Sequence, residues 1–87
     1  MKIKSGLILR EVAGNYVVVA VGERAKDFNC MINLNDSGAF LWKKLEQGAE
    51  EGELVQALLS EYEVSEEIAR KDVQAFIKKM VEAGLVK

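Results

Sequence analysis

Cys30 is the one cysteine among 87 residues, and the chain has no histidine to activate it. That composition excludes Ser-His-Asp and Cys-His catalysis, His-ligated metals and an imidazole pH switch. It also excludes an internal disulfide and a Cys-rich zinc site. Cys30 falls within an alternating apolar stretch, on its inward face, which is the setting of an inert core thiol rather than a nucleophile. The carboxylate pairs Glu50-Glu51 and Glu66-Glu67 are adjacent in sequence, on loops or a helix end, with no apolar pocket to split their pKa values. No stretch resembles a calcium loop, and the seven scattered glycines form neither GxGxxG nor GxxxxGK spacing. Phe40 and Trp42 fit helix packing better than a ligand cage. No catalytic residue, metal site or cofactor is expected.

Chemistry of its own being absent, the chain reads as a binding module. Its length suits a single domain over residues 1–87 with one modest core. Apolar residues make up 49% of it, which fits a folded rather than a disordered chain. A net charge of −2 argues against binding nucleic acid through phosphate contacts. The longest apolar run, Tyr16 to Val21, is too short to cross a bilayer. Met1-Lys2-Ile3-Lys4 is not followed by the apolar stretch of a signal peptide, so a cytoplasmic location is expected and no membrane partner.

The N-terminal third has the pattern of a sheet. Leu7 to Val12 and Tyr16 to Val21 are strand-like, the second dense in β-branched residues. Ala13-Gly14-Asn15 lies between them, with Gly-Asn as a two-residue hairpin signal. Gly22 to Asp27 is a polar loop. Phe28 to Leu34 then alternates, with Phe28, Cys30, Ile32 and Leu34 on one face and Asn29, Met31 and Asn33 on the other. Three antiparallel strands are expected.

Three helices follow. Asn35 is the first choice of N-cap for a helix carrying Leu41, Trp42 and Leu45 and ending at Gly48. A second runs from about Gly52 to Tyr62, with Leu54, Val55, Leu58, Leu59 and Tyr62 as one stripe. Ser65 starts the third, whose acidic first turn and later Lys78 and Lys79 complement its dipole. Gly84 and Leu85 end it. The fold class is α+β: a three-stranded antiparallel sheet followed by a three-helix bundle, in a winged-helix-like order. A DNA-binding winged helix needs a basic recognition helix. The second helix has no Lys or Arg, and the basic residues of the third are surrounded by acids.

Two features stand out. From Glu46 to Glu67 there are eight acidic residues and no basic one. A solvated helix face explains this most simply, and a docking patch for a basic partner is the other reading. The second feature is the third helix, whose apolar arc spans roughly 240° where about 100° covers a single core. Ala69, Val73, Phe76, Met80 and Ala83 form the centre. Packing between a sheet and two helices accounts for a wide arc. The alternative is an open flank: Val73, Ile77 and Val81, edged by Arg70 and Gln74, are the more apolar side. Asp72 and Lys79, opposite, suit water.

Several segments together resemble the PqqD-like family. They are Leu9-Arg10-Glu11-Val12, Tyr16 to Val19, Phe28 to Asn35, Ala39-Phe40-Leu41-Trp42 with Leu45, Leu58 to Tyr62, Asp72 to Phe76, and Gly84-Leu85. The resemblance runs from about Leu7 to Val86. It implies a RiPP recognition element, a non-catalytic domain that captures the leader segment of a ribosomally made precursor peptide. In that family the leader adds as a strand beside the third strand, in the cleft between it and the third helix, and is presented to a modifying enzyme. That enzyme is often a radical SAM enzyme and sometimes another maturase, as in pyrroloquinoline quinone (PQQ) synthesis. On this chain the peptide would then meet Asn29, Cys30, Met31, Ile32 and Asn33 on the strand. From the helical arc, Val73, Ile77 and Val81 would line apolar pockets, with Gln74 at the edge and Arg70 at the rim to pair with an acidic leader residue.

Two positions depart from the family pattern. Cys30 stands where relatives often have Gly. Gly38 lies inside a helix where many carry a better helix former, at a cost of roughly 1 kcal/mol relative to Ala. An unpaired third-strand edge could equally pair with a second copy, giving a homodimer. The readings of a different class are a winged-helix transcription factor or a structural subunit without a peptide ligand.

Overall fold

The computed structural model describes residues 1–22 and 32–86. Asn29, Cys30 and Met31, and with them most of the expected loop and the start of the third strand, lie outside the described residues. Within them the chain is α+β: β1 (Leu7–Val12), β2 (Asn15–Ala20) and β3 (Ile32–Leu34), then α1 (Asp36–Glu46), α2 (Glu51–Glu61) and α3 (Glu66–Glu82). The sheet is antiparallel in the order β1-β2-β3. Among the described residues β3 is therefore an edge strand, paired with β2 on one side.

The hairpin turn is one residue earlier than the Gly-Asn signal suggests. Val12 pairs with Asn15, and the two turn residues are Ala13 and Gly14. Both have positive φ, +52° and +82°, as a type I′ turn demands. Ala13 takes the left-handed position that the sequence offered to Asn15. The pairs Tyr16–Leu34 and Val18–Ile32 lie on the face turned to the helices, where Val18 and Leu34 are buried.

The helix ends follow the cap residues. Asn35 Oδ1 accepts the Gly38 backbone N–H at 2.7 Å, and Ser65 Oγ accepts the Ile68 N–H at 3.2 Å. α2 begins one residue before the expected Gly52, because Glu53 reaches back to the Glu50 backbone N–H at 3.0 Å, half of a capping box. α3 closes in a Schellman motif. The Leu85 N–H donates to the Met80 carbonyl and the Gly84 N–H to the Val81 carbonyl, both at 3.0 Å, with Gly84 at φ +72°. Met80 and Leu85, the hydrophobic pair of that motif, are both buried.

One core joins the layers. Leu41, Trp42 and Leu45 of α1, Leu54, Val55 and Leu58 of α2, and Ala69, Val73, Phe76 and Met80 of α3 pack with Leu7, Val18 and Leu34 of the sheet. The first residues take part too. Ile3 bridges Val86, the Lys4 N–H donates to the Leu85 carbonyl, and the Ala49 N–H donates to the Met1 carbonyl. The N-terminal segment thus fastens the end of α3 and the α1–α2 loop.

Candidate functional site

β3 is fixed on one side by β2 and followed at once by the Asn35 cap, so α1 leaves directly from its end. α3 runs on the other side. Lys79 Nζ donates to the backbone carbonyl of Asn33 at 3.0 Å. Successive carbonyls of a strand point to opposite sides. The Asn33 carbonyl turned to α3 is therefore a group of the free edge, while the carbonyls of Ile32 and Leu34 point toward β2.

Between that edge and α3 lies an open cleft of about 440 Å³. Leu34, Gly38 and Leu41 form its apolar floor on the β3–α1 side, and Ala75 and Phe76 form its α3 wall, with Asp72 and Lys79 along the rim. Gly38 explains itself here. A Cβ at this position would lie 3.0 Å from Asn35 Oδ1 and 3.4 Å from the Leu34 Cβ. Glycine lets the cap close tightly at the corner where strand turns into helix, so the propensity cost noted from the sequence carries a structural return.

A second hollow of about 380 Å³ adjoins the first, sharing Asn35, Ser37 and Asp72, and extends to Asp36, Leu58, Tyr62 and Val64. The Tyr62 ring is held edge-on against Phe40, with centroids 5.7 Å apart at 85°, and the Lys44 ammonium lies 5.4 Å above the Phe40 ring. Desolvation, then the negative charges of Asp36 and Glu61, raise the Tyr62 pKa above its ordinary value. The phenol is neutral at pH 7 and available as a donor.

The residues expected to bind are distributed differently from the arc reading. Ile32 and Asn33 are at the edge, as the strand pattern requires. Val73 has 0% exposure, so it belongs to the core and offers nothing to a ligand. At about 100° per residue, Arg70, Gln74, Ile77 and Val81 lie roughly 140–200° around α3 from Lys79, away from the cleft. Arg70 pairs instead with Glu66 of its own helix at 3.2 Å, Ile77 is half-buried against the core, and Val81 is 56% exposed. Lys79 and Asp72, assigned to water, are the polar rim of the cleft. Periodicity gives angles about the helix axis, and only the position of β3 says which angle faces it.

The acidic stretch is partly neutralised. Glu66 and Glu67 pair with Arg70 and Lys71, and Glu53 serves the α2 cap. Among the described residues there is no cluster of three or more His, Cys, Asp or Glu that could hold a metal ion. No helix there is long and apolar enough to cross a membrane.

The model of the family described as coenzyme PQQ synthesis protein D (PqqD) matches residues 15–86. This chain belongs to the PqqD family. The match begins at β2 and includes β3, the cleft and all three helices. No curated protein matches the sequence. Two solved structures share the fold of this PqqD-family chain. One is TbiB1 in complex with the TbiA(beta) leader peptide, with a TM-score of 0.78 and 22% identity over 100% of this chain and 95% of that one. The other is lasso peptide synthetase B1 complexed with the leader peptide, with a TM-score of 0.76 and 23% identity over 99% and 95%.

Proposed function

We propose that this chain is a non-catalytic peptide-binding protein. It takes the leader segment of a ribosomally made precursor as an added strand on the free edge of β3 and presents it to a modifying enzyme. The observation that carries this reading is the cleft itself: a strand edge at Asn33, unpaired with any other strand among the described residues, beside an apolar floor of Leu34 and Leu41 and the Ala75–Phe76 wall. Both solved relatives hold leader peptides, which supports a peptide as the occupant.

The physics suits an extended peptide. Edge N–H and C=O groups pair with any backbone, and side-chain pockets then supply selectivity. Each backbone bond adds only about 0.5–1.5 kcal/mol net, and ordering the peptide consumes part of that. Apolar side chains of the leader must therefore enter the cleft. Ile32 and Asn33 stay in the proposed site, joined by Leu34, Leu41, Ala75, Phe76 and Lys79. Arg70, Gln74, Ile77 and Val81 are left for the opposite flank of α3. The partner enzyme is a radical SAM enzyme or another maturase, and the chain needs no cofactor for its own task.

The test is calorimetric titration of the purified chain with the leader of a precursor encoded beside its gene, at low and high salt. Saturable binding that changes little with salt is the expected result. Absence of binding to such leaders, or steeply salt-dependent binding to DNA in their place, would reject the reading.

A further inference from the structure

We infer that Lys79 selects an acidic side chain in the peptide by first occupying the place of the incoming strand. The inference rests on the reading of the β3 edge as the docking site and adds which peptides that edge accepts. The ammonium donates to the Asn33 carbonyl, a backbone acceptor that an added strand must use. A lysine laid over an edge carbonyl protects the edge from indiscriminate pairing. Strand addition replaces that bond with a peptide N–H and releases the ammonium on its flexible stem, beside the new strand and on the rim of the apolar cleft.

In this structure the ammonium is held by the Asn33 carbonyl and by no carboxylate among the described residues, although Glu82 lies three residues on and Asp72 two turns back. Arg70 and Lys71 each pair with a glutamate four residues earlier, whereas the residue four before Lys79 is Ala75. Among the described residues no carboxylate forms an ion pair with Lys79. A peptide carrying Asp or Glu next to the strand residue that meets Asn33 supplies the missing partner. A neutral peptide leaves the displaced ammonium to water alone, and a basic one adds repulsion. Exchange of one partner for another is what converts an unselective edge into a selective one.

The experiment is panning of a displayed library of random twelve-residue peptides against the wild type, Lys79→Met and Lys79→Glu. Lys79 is exposed, so the variants are expected to keep the wild-type circular dichroism and melting curve. Wild-type binders should be enriched in Asp or Glu at one position, that enrichment should vanish for Lys79→Met, and Lys79→Glu should select Lys or Arg there. A synthesised wild-type binder should lose about fivefold in affinity on Lys79→Met, the scale of a partly screened ion pair. Its neutral analogue should bind Lys79→Met at least as well as it binds the wild type. Binders of the same composition from all three proteins, each shifting the Asn33 amide, would overturn the inference and leave the docking edge intact. Failure of all three to select any peptide that shifts that amide would overturn the docking edge itself, and the inference with it.

Discussion

The Lys79 ammonium sits 3.0 Å from the Asn33 carbonyl oxygen, joining residues 46 positions apart in sequence. That bond places the Asp72–Lys79 flank of α3 against the free edge of β3 and turns Arg70 and Val81 away from it. The chemistry of the cleft follows from this orientation: an apolar floor, one cation and one carboxylate on its rim, and a backbone edge able to pair.

Substitutions on the two flanks of α3 should therefore separate. Ala75 is exposed and lines the cleft, so Ala75→Arg should fill it and weaken leader binding by tenfold or more with the melting temperature unchanged. Val81→Arg, on the far flank, should leave affinity within about twofold. The reverse pattern in a binding titration would move the groove to the Val81 side.

The corner between β3 and α1 is set by a cap and a glycine. Asn35→Ala should cost about 1 kcal/mol, the usual value of an N-cap. Gly38→Ala should bring no gain despite alanine's higher helix propensity, because the new Cβ crowds Asn35 Oδ1. Urea denaturation of both variants measures this, and a Gly38→Ala protein more stable by about 1 kcal/mol would contradict it.

Trp42 is wholly buried, and its Nε1 has no hydrogen-bond partner among the described residues. Trp42→Ala should cost about 3–5 kcal/mol through the cavity it leaves. Trp42→Phe should cost clearly less, since it leaves a smaller cavity and the indole N–H it removes makes no bond among the described residues. Denaturant unfolding measures both, and a Trp42→Phe loss as large as that of Trp42→Ala would contradict this account of the site.

Tyr62 links the adjoining hollow to alkaline pH. Its pKa is raised in the folded chain, first by desolvation and then by Asp36 and Glu61, so the folded state holds the phenolic proton more tightly than the unfolded one. The associated stability is present below the unfolded value of about 10 and falls as pH rises through the folded value. Wild type should lose more stability than Tyr62→Phe when melting is followed from pH 9 to 11. Parallel curves would rule out this contribution.

Much of the architecture is legible in the residues. Asn35, Ser65 and Gly84 mark helix ends because their side chains, or the lack of one, satisfy specific backbone groups. The alternation Ile32-Asn33-Leu34 gives the faces of β3 correctly. The turn is misplaced by one residue because Ala13 accepts a left-handed conformation that local propensity assigns to Asn15. The role of Met1–Lys4 is invisible locally, since its partners Leu85 and Val86 lie at the other end of the chain. The site is half legible for a similar reason. The breadth of the apolar arc on α3 can be counted, yet Val73 at its centre is sealed in the core. The flank that lines the cleft is the one carrying Lys79, set by tertiary packing.

The most direct test of strand docking in this cleft is methyl and amide chemical-shift mapping of the isotope-labelled chain during leader titration. The expected result is large shifts for the Asn33 amide and for the Leu34, Leu41 and Ala75 methyls, with peptide-to-Asn33 backbone contacts and unmoved Val81 methyls. Shifts centred on Ile77 and Val81, with Asn33 and Ala75 unchanged, would contradict it.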